Sequence, residues 1–519
     1  MSKKLVKSGI IVSVMTLVSR VMGLIRDVVI ANLMGAGSGA DVFILANKIP
    51  NFLRRLFAEG AFSQAFVPVF TEYQQKHSPD EVRELISKVT GTLGILVSVV
   101  TLVGVIGSPL LMALFANGWF VAWLNDEPSG EKFELASLLL KITFPYLWFI
   151  TFTAMAGSIL NTRGRFAVSA FTPVFLNIAI ICAALFLSPK LESPELGLAL
   201  GVFFGGLIQF LFQIPFLLNE RALVKPSWGW HYPGVVKIRT LMIPAIFGVS
   251  VSQINLLFDT FIASYLMTGS ISWLYYSDRL LEFPLGLFGI AIATVILPAL
   301  SKKHVNDEGG GFAKTMDWGV KAILLLGMPA MCGLILLAKP MLMVLFMRGA
   351  FTVDDVEMAS YSLMAYGSGL LSFMLIKVLA PGYYSRQDTK TPVRYGIIAM
   401  VSNMVFNVIF AIPFGYVGLA IATSLSALLN ATLLYRGLAK ANVYKVSKQT
   451  GLFFGKALLS CIVMVTVLIQ LLPSQDIWLQ QVFTQRALTL LALIGAGVGS
   501  YLISMIVLGI RPWKIKTGL

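Results

Sequence analysis

The 519-residue chain is 57% hydrophobic and only 13% charged, with a mean hydropathy of +0.81, whereas soluble domains carry roughly 25% charged residues. That balance argues against a water-soluble enzyme. Forty Lys and Arg against 25 Asp and Glu give a net charge of +15; in a membrane protein the ordinary cause is Lys- and Arg-rich cytoplasmic loops rather than nucleic-acid binding.

A bilayer crossing takes about 20 apolar residues. Hydrophobic runs between charged or Gly/Pro breaks predict fourteen spans, near 9–33, 40–70, 89–114, 135–160, 168–188, 196–218, 240–266, 272–300, 317–338, 358–383, 393–412, 415–435, 451–472 and 486–510. The fold class is therefore an all-α polytopic membrane protein, with no room for a sizeable soluble domain. Lys3, Lys4 and Lys7 ahead of an apolar run imitate a signal peptide, but Arg20, Arg26 and Asp27 interrupt the run, which reads as a retained first helix. An even span count places both termini on one side. With the N-terminus inside, the inner segments hold 25 Lys and Arg and the outer loops 5, so both termini are expected in the cytoplasm. Ten cations remain within spans: Arg20, Arg26, Lys48, Arg54, Arg55, Lys141, Arg279, Lys321, Lys377 and Lys456. Lys321 and Lys456 are close enough to cytoplasmic ends to snorkel.

A weak internal repeat is visible. Asp27, Ile30, Ala31, Gly37 and Ser38 recur at an offset of 232 as Asp259, Ile262, Ala263, Gly269 and Ser270, and Leu196–Ala199 resembles Val417–Ala420. The pattern pairs helices 1, 2 and 6 with 7, 8 and 12, as two parallel six-helix lobes require. The expected domains are an N-lobe over 1–222, a C-lobe over 223–440 and a two-helix extension over 441–519.

Enzyme motifs are missing. The glycines at 35, 37 and 39 join two membrane helices rather than a strand to a helix, and Gly451, Gly455 and Lys456 lack both the spacing and the Ser/Thr of a phosphate loop. Gly201/Gly205 and Gly495/Gly499 have the spacing that lets membrane helices approach closely. Cys182, Cys332 and Cys461 read as core residues, and His77, His231 and His304 as loop residues, with no metal-ligand spacing among them.

The unusual feature is charge inside helices 1, 2 and 8. A charge at the bilayer centre costs roughly 2.5–3.5 kcal/mol on insertion scales, so several in one bundle imply a hydrated cavity. Ser19, Gly23 and Arg26 share one face of helix 1 and Arg20, Gly23 and Asp27 an adjoining one. Helix 2 supplies Asp41, Lys48, Arg54, Arg55 and Glu59, and helix 8 supplies Asp278, Arg279 and Glu282, ahead of Pro284, which is placed to bend it. One reading is buried ion pairing, with Asp27 above Arg20. The sharper one is an anionic phosphate ligand, which the planar guanidinium grips bidentately. Asp259 and Asp388 are the leftover carboxylates for a coupling cation, with loop capping or structural pairing as their alternative.

The stretches Ser19–Asp27 (SRVMGLIRD), Pro50–Pro68 (PNFLRRLFAEGAFSQAFVP), Tyr275–Pro284 (YYSDRLLEFP) and Lys377–Pro392 (KVLAPGYYSRQDTKTP) resemble the MurJ lipid II flippase family of the multidrug/oligosaccharidyl-lipid/polysaccharide exporter superfamily. The resemblance implies two six-helix lobes around a cationic cavity and a two-helix groove for a lipid tail. It also implies a pyrophosphate contact for Arg20, Arg26 and Arg279, a required helix 2 arginine in Arg54, and gating or ion-pair roles for Asp41 and Glu282. The implied activity is translocation of lipid II, the undecaprenyl-pyrophosphate-linked peptidoglycan precursor, from the cytoplasmic to the periplasmic leaflet of the bacterial inner membrane by alternating access. No cofactor is implied beyond a coupling cation or the membrane potential. Lipid II is the partner, with cell-wall synthases as further candidates, and the chain is expected to work as a monomer. Rival readings are an exporter of another lipid-linked oligosaccharide and a cation-coupled multidrug exporter; the excess of arginines over carboxylates disfavours the second. A polyprenyl-phosphate glycosyltransferase would need a large outer domain with an acidic motif, and no outer loop exceeds about 25 residues.

Overall fold

The computed structural model describes residues 3–305 and 309–510, with side chains for all of these save 3–13, 57–60, 247–249, 251–252, 290–291, 294, 298, 302–305 and 309. Every regular element described is a helix, and ten helical stretches among the described residues are long and apolar enough to cross a membrane. The other four predicted spans, those of helices 1, 2, 7 and 8, coincide with helical stretches that carry most of the intramembrane charge. The chain is an all-α polytopic membrane protein. It divides into two compact units, Met1–Ser272 and Trp273–Leu519.

Unit 1 contains α1 (Lys3–Met34), α2 (Ser38–Leu53), α3 (Ser63–Lys76), α4 (Pro79–Ile106), α5 (Ser108–Phe115), α6 (Asn117–Leu124), α7 (Glu131–Thr143), α8 (Tyr146–Thr162), α9 (Phe166–Phe171), α10 (Pro173–Cys182), α11 (Pro194–Asn219) and α12 (Pro233–Ala263). Between α2 and α3 the backbone widens into a π-helical turn, Arg54–Phe62, just after Pro50, whose missing N–H cannot close the normal ladder. Phe62, Phe66 and Phe70 stack one turn apart at 5.1 and 5.2 Å and form a buried core with Val82, Leu85 and Leu160. α12, the seventh predicted span, packs against α3 and the π-helical turn and so belongs to this unit. The Gly201/Gly205 expectation holds: a Cβ at either would lie 2.8 or 2.7 Å from α10 or the turn after it, at Ala183 and Leu176, so the two helices meet through the absent side chains.

Unit 2 continues from α13 (Ser270–Pro284), which begins at the boundary, through α14 (Ile290–Val305), α15 (Gly309–Leu336), α16 (Ala338–Leu345), α17 (Val353–Ser368), α18 (Leu370–Tyr384), α19 (Lys390–Phe414), α20 (Tyr416–Lys440), α21 (Lys448–Leu471), α22 (Gln475–Gln480) and α23 (Phe483–Val507). Past Pro284 a π-helical turn, Leu285–Gly289, the third among the described residues after Arg54–Phe62 and Ala183–Leu187, replaces the simple bend expected there. At the repeat offset it overlaps the register of Arg54–Phe62. α19 and α20 form a hairpin around Gly415, whose φ of +56° favours glycine. α21 is anchored at its start by Asp317 of α15, which accepts from Tyr444 Oη at 2.9 Å, from Thr450 Oγ1 at 2.7 Å and from the Ser447 hydroxyl. The Gly495/Gly499 expectation fails. Among the described residues nothing lies within 4 Å of a Cβ at either, whereas Gly497 faces Leu468 of α21 at 3.2 Å. Two residues turn a helix about 200°, so the contact face is the opposite one.

Candidate functional site

In unit 1, α1 runs along α9 and α10, and this packing places the charges. Arg26 donates through Nε and Nη2 to Asp27 Oδ1 at 2.9 and 2.7 Å, and through Nη1 to Asn177 Oδ1 of α10 at 3.0 Å. Asn177 Nδ2 in turn donates to the Ser19 carbonyl at 3.3 Å, and Gly23 leaves room for the amide, with a virtual Cβ 3.9 Å from Asn177 Nδ2. The pair is withdrawn from solvent: the Arg26 side chain is 12% exposed and that of Asp27 1%. Arg20 is exposed, with no ion pair among the described residues. The expected stacking of Asp27 on Arg20 is therefore corrected. Seven residues separate their Cα atoms by about 10 Å along a helix, while Arg26 folds back onto its neighbour.

Arg54, half-buried at the start of the π-helical turn, donates to Asn51 Oδ1 at 3.3 Å, and Arg55 is exposed. The Glu59 side chain lies outside the described residues. Lys48 Nζ donates to Thr260 Oγ1 of α12 at 3.4 Å, next to half-buried Asp259.

Asp41 is 2% exposed. Its Oδ2 accepts the Gly269 amide at 2.7 Å, and its Oδ1 accepts the Ser272 amide at 2.9 Å and hydroxyl at 2.7 Å. It thus caps the first turn of α13, where the free amides and the positive end of the helix dipole favour an anion. Lys132 of α7 holds the same segment through Thr268 Oγ1 at 2.7 Å, and the Gly118 amide donates to Ser264 Oγ at 2.9 Å. Asp41 is therefore the central residue of a clamp on residues 264–272.

In unit 2, Arg279 Nη1 donates to Glu282 Oε2 at 3.1 Å and Nη2 to the Tyr275 hydroxyl at 3.4 Å, its guanidinium 5.3 Å from the Tyr275 ring centroid. The pair is wetter, with side chains 35% and 49% exposed. Asp278 and Lys377 are exposed, as is Lys141 in unit 1. Asp388 sits at the turn between α18 and α19, where the Thr391 hydroxyl and amide, the latter at 3.0 Å, hold its carboxyl below the usual range. That is the loop-capping alternative for Asp388.

These arginines and the fold can be set against known proteins. The profile of the lipid II flippase MurJ family matches residues 30–489. The probable lipid II flippase MurJ of Vibrio cholerae serotype O1 is 68% identical over 99% of this chain and 98% of its own. The chain belongs to the MurJ lipid II flippase family. The Haemophilus influenzae relative, also a probable lipid II flippase MurJ, is 62% identical over 97% of this chain and its full length. Among solved structures, a lipid II flippase MurJ in an inward closed conformation is 29% identical, with a TM-score of 0.81 over 96% of this chain and 98% of its own. An inward-facing multidrug resistance MATE family transporter shares the fold, with a TM-score of 0.68 at 13% identity over 84% and 98%.

Within the family fold, sequence reasoning missed two members of the site. Asn177 is a lone amide in the apolar run PVFLNIAIIC, and that isolation was the available signal. Lys132 was counted as an outer-loop cation, yet it is 7% exposed and bound within the clamp.

Proposed function

We propose that this chain carries lipid II from the cytoplasmic to the periplasmic leaflet of the bacterial inner membrane. The physical obstacle is the head group: pyrophosphate, sugars and peptide pay a prohibitive desolvation cost in hydrocarbon, whereas the prenyl tail stays in lipid. The observation that carries the reading is the arginine arrangement on α1 in a member of this family. Arg20 is exposed and available to a phosphate, while Arg26, six residues further along α1, is held by a carboxylate and an amide. A pyrophosphate offers more negative charge and more acceptor oxygens than Asp27, so it competes for the Arg26 fork. Arg279, released from Glu282, supplies the corresponding contact from unit 2. Release follows as Asp27 and Glu282 recapture their arginines, which makes the cycle an exchange of anions.

Alternating access is supported by relatives of the same fold recorded in both inward-facing and outward-facing conformations. In this scheme the Asp41 clamp on residues 264–272 is made in one state and broken in the other. We assign both termini to the cytoplasm on the 25-to-5 loop charge count, and fourteen spans on the coincidence of every predicted run with a helix. The chain acts as a monomeric transporter that makes and breaks no covalent bond, with cell-wall synthases as candidate partners downstream. An inside-negative potential, at about 2.3 kcal/mol per charge per 100 mV, favours outward movement of an anion. We therefore place the potential ahead of a coupling cation at Asp259 or Asp388 as the driving force.

The test is complementation of a flippase-depleted strain. Arg20→Ala, Arg26→Ala and Arg279→Ala are expected to abolish growth at normal membrane levels of the protein. Full growth of all three would refute the assignment.

A further inference from the structure

In unit 2, α21 and α23 pack on α15, and two of the three cysteines of the chain meet in that seam. Asp317 of α15 sets the register, because Ser447 at the start of α21 donates to its carboxylate. Cys332 lies fifteen residues beyond Asp317, and Cys461 fourteen beyond Ser447. At 1.5 Å per residue, both helices have climbed about 21 to 22 Å from the anchor when they reach these cysteines. At that level the two thiols are hydrogen-bonded to each other. Tyr501 of α23 closes the layer: its hydroxyl donates at 3.0 Å to the carbonyl of Leu325, two turns before Cys332 on the same face of α15. Cys461 is 2% exposed, whereas Cys332 is half-buried. Cys182 is exposed on α10, in unit 1.

As packing, the pair offers little, since a thiol is a small hydrophobe with a weak S–H donor and an aliphatic side chain would fill the seam as well. What sets two facing thiols apart is that they can lose two hydrogens and join. Hydrocarbon disfavours the charged thiolate on which ordinary disulfide exchange depends, so charged oxidants and aqueous thiols are poorly matched to this place. An oxidant that fits is small, neutral, soluble in lipid and electrophilic enough to attack the thiol itself. A hypohalous acid has those properties, and the half-buried Cys332 is the sulfur it meets first.

We propose that Cys332 and Cys461 form an oxidative modification site, an intramembrane dithiol that a hypohalous acid closes to a disulfide, pinning α21 to α15. The halogen passes from oxygen to Cys332 Sγ, and the thiol proton leaves with the hydroxide as water. Cys461 Sγ then displaces halide from Cys332 Sγ, and its proton leaves with the halide. Two thiols and one hypohalous acid thus give one disulfide, one water and one hydrogen halide; the sulfur pair is oxidised by two electrons and the halogen reduced by two. The new bond closes a long loop of chain that runs from α15 through α16–α20 to α21, which restricts the opened state most. The site is independent of what the protein transports.

The experiment treats the full-length protein in nanodiscs with hypochlorous acid in small steps, denatures it in N-ethylmaleimide and digests it for mass spectrometry. The expected product is a peptide pair joining residues 332 and 461, lighter by two hydrogens than its parts and separated by dithiothreitol, while Cys182 stays outside any disulfide. In mild denaturant, amide exchange over α21 is expected to be at least about tenfold slower in the oxidised protein than in the reduced one, a conservative figure for the closure of a long loop. Cys332→Ser and Cys461→Ser, each sufficient should the other fold poorly, are expected to lose both the peptide pair and the slowing. Cys332 carried to sulfinic or sulfonic acid while Cys461 is recovered alkylated would show that the sulfurs do not meet, and overturns the site. A disulfide to Cys182 or between two chains does the same. A 332–461 disulfide that leaves α21 exchange unchanged refutes the pinning.

Discussion

Replacing Asp41 by Asn keeps the shape of the side chain but leaves one acceptor oxygen where there were two. Three donors converge on the carboxylate, the Gly269 amide on Oδ2 and the Ser272 amide and hydroxyl on Oδ1. An asparagine that turns its oxygen to Ser272 aims its NH2 at the Gly269 N–H, so that bond is lost outright. The two that survive become neutral and about half as strong. A charge-assisted hydrogen bond contributes about 1.5–3 kcal/mol, so even at the lower figure the clamp loses about 1.5 kcal/mol with the missing bond and about as much again from the two weakened ones, about 3 kcal/mol in all, or about a hundredfold in its opening equilibrium. Amide exchange followed by mass spectrometry reads this directly. Peptides covering 266–274 are expected to exchange about a hundredfold faster in Asp41→Asn, with little change in the α8–α11 hairpins. Unchanged exchange at Gly269 and Ser272 would show that the carboxylate does not hold this segment.

Asn177→Leu removes the amide between Arg26 and the Ser19 carbonyl; about 2 kcal/mol of stability is expected to go with it, read as a lower melting temperature, with a growth defect milder than that of Arg26→Ala. Asp317→Asn weakens the anchor of α21, so peptides over 444–450 are expected to exchange at least about tenfold faster while the α19–α20 hairpin keeps its protection. Asp388 has its carboxyl held below the usual range by Thr391. Its small contribution is therefore complete above the ordinary aspartate value and lost only as pH falls through the lower folded one. Lipid II flipping by Asp388→Asn is expected to follow the parent pH profile between pH 5 and 8, and a displaced profile would restore a proton-coupling role.

The helical scaffold was legible because a bilayer span is a local property: twenty apolar residues announce themselves without reference to the rest of the chain. The π-helical turns were only half legible. Pro284 signalled an interruption, but whether a helix kinks or widens depends on what packs beside it. The Gly495/Gly499 expectation failed for a related reason, since small-residue spacing marks a face that permits close approach without saying which face the neighbour takes.

The charges in helices 1, 2 and 8 stood out because their insertion is costly, yet their partners did not. Asn177 lies 151 positions from Arg26 and is neutral, so no charge arithmetic finds it. Asp41 is satisfied mainly by backbone amides, which every residue but proline carries and which no sequence pattern distinguishes. This asymmetry bears on mechanism. Counting charges along the sequence suggests an empty cationic chamber that waits for an anion. In the fold, Arg26 already has a carboxylate, so in the proposed cycle the free energy of gripping a phosphate is the difference between two anions. A site of that kind binds less tightly than an unpaired arginine would, which is what release at the opposite leaflet requires of the proposed cycle.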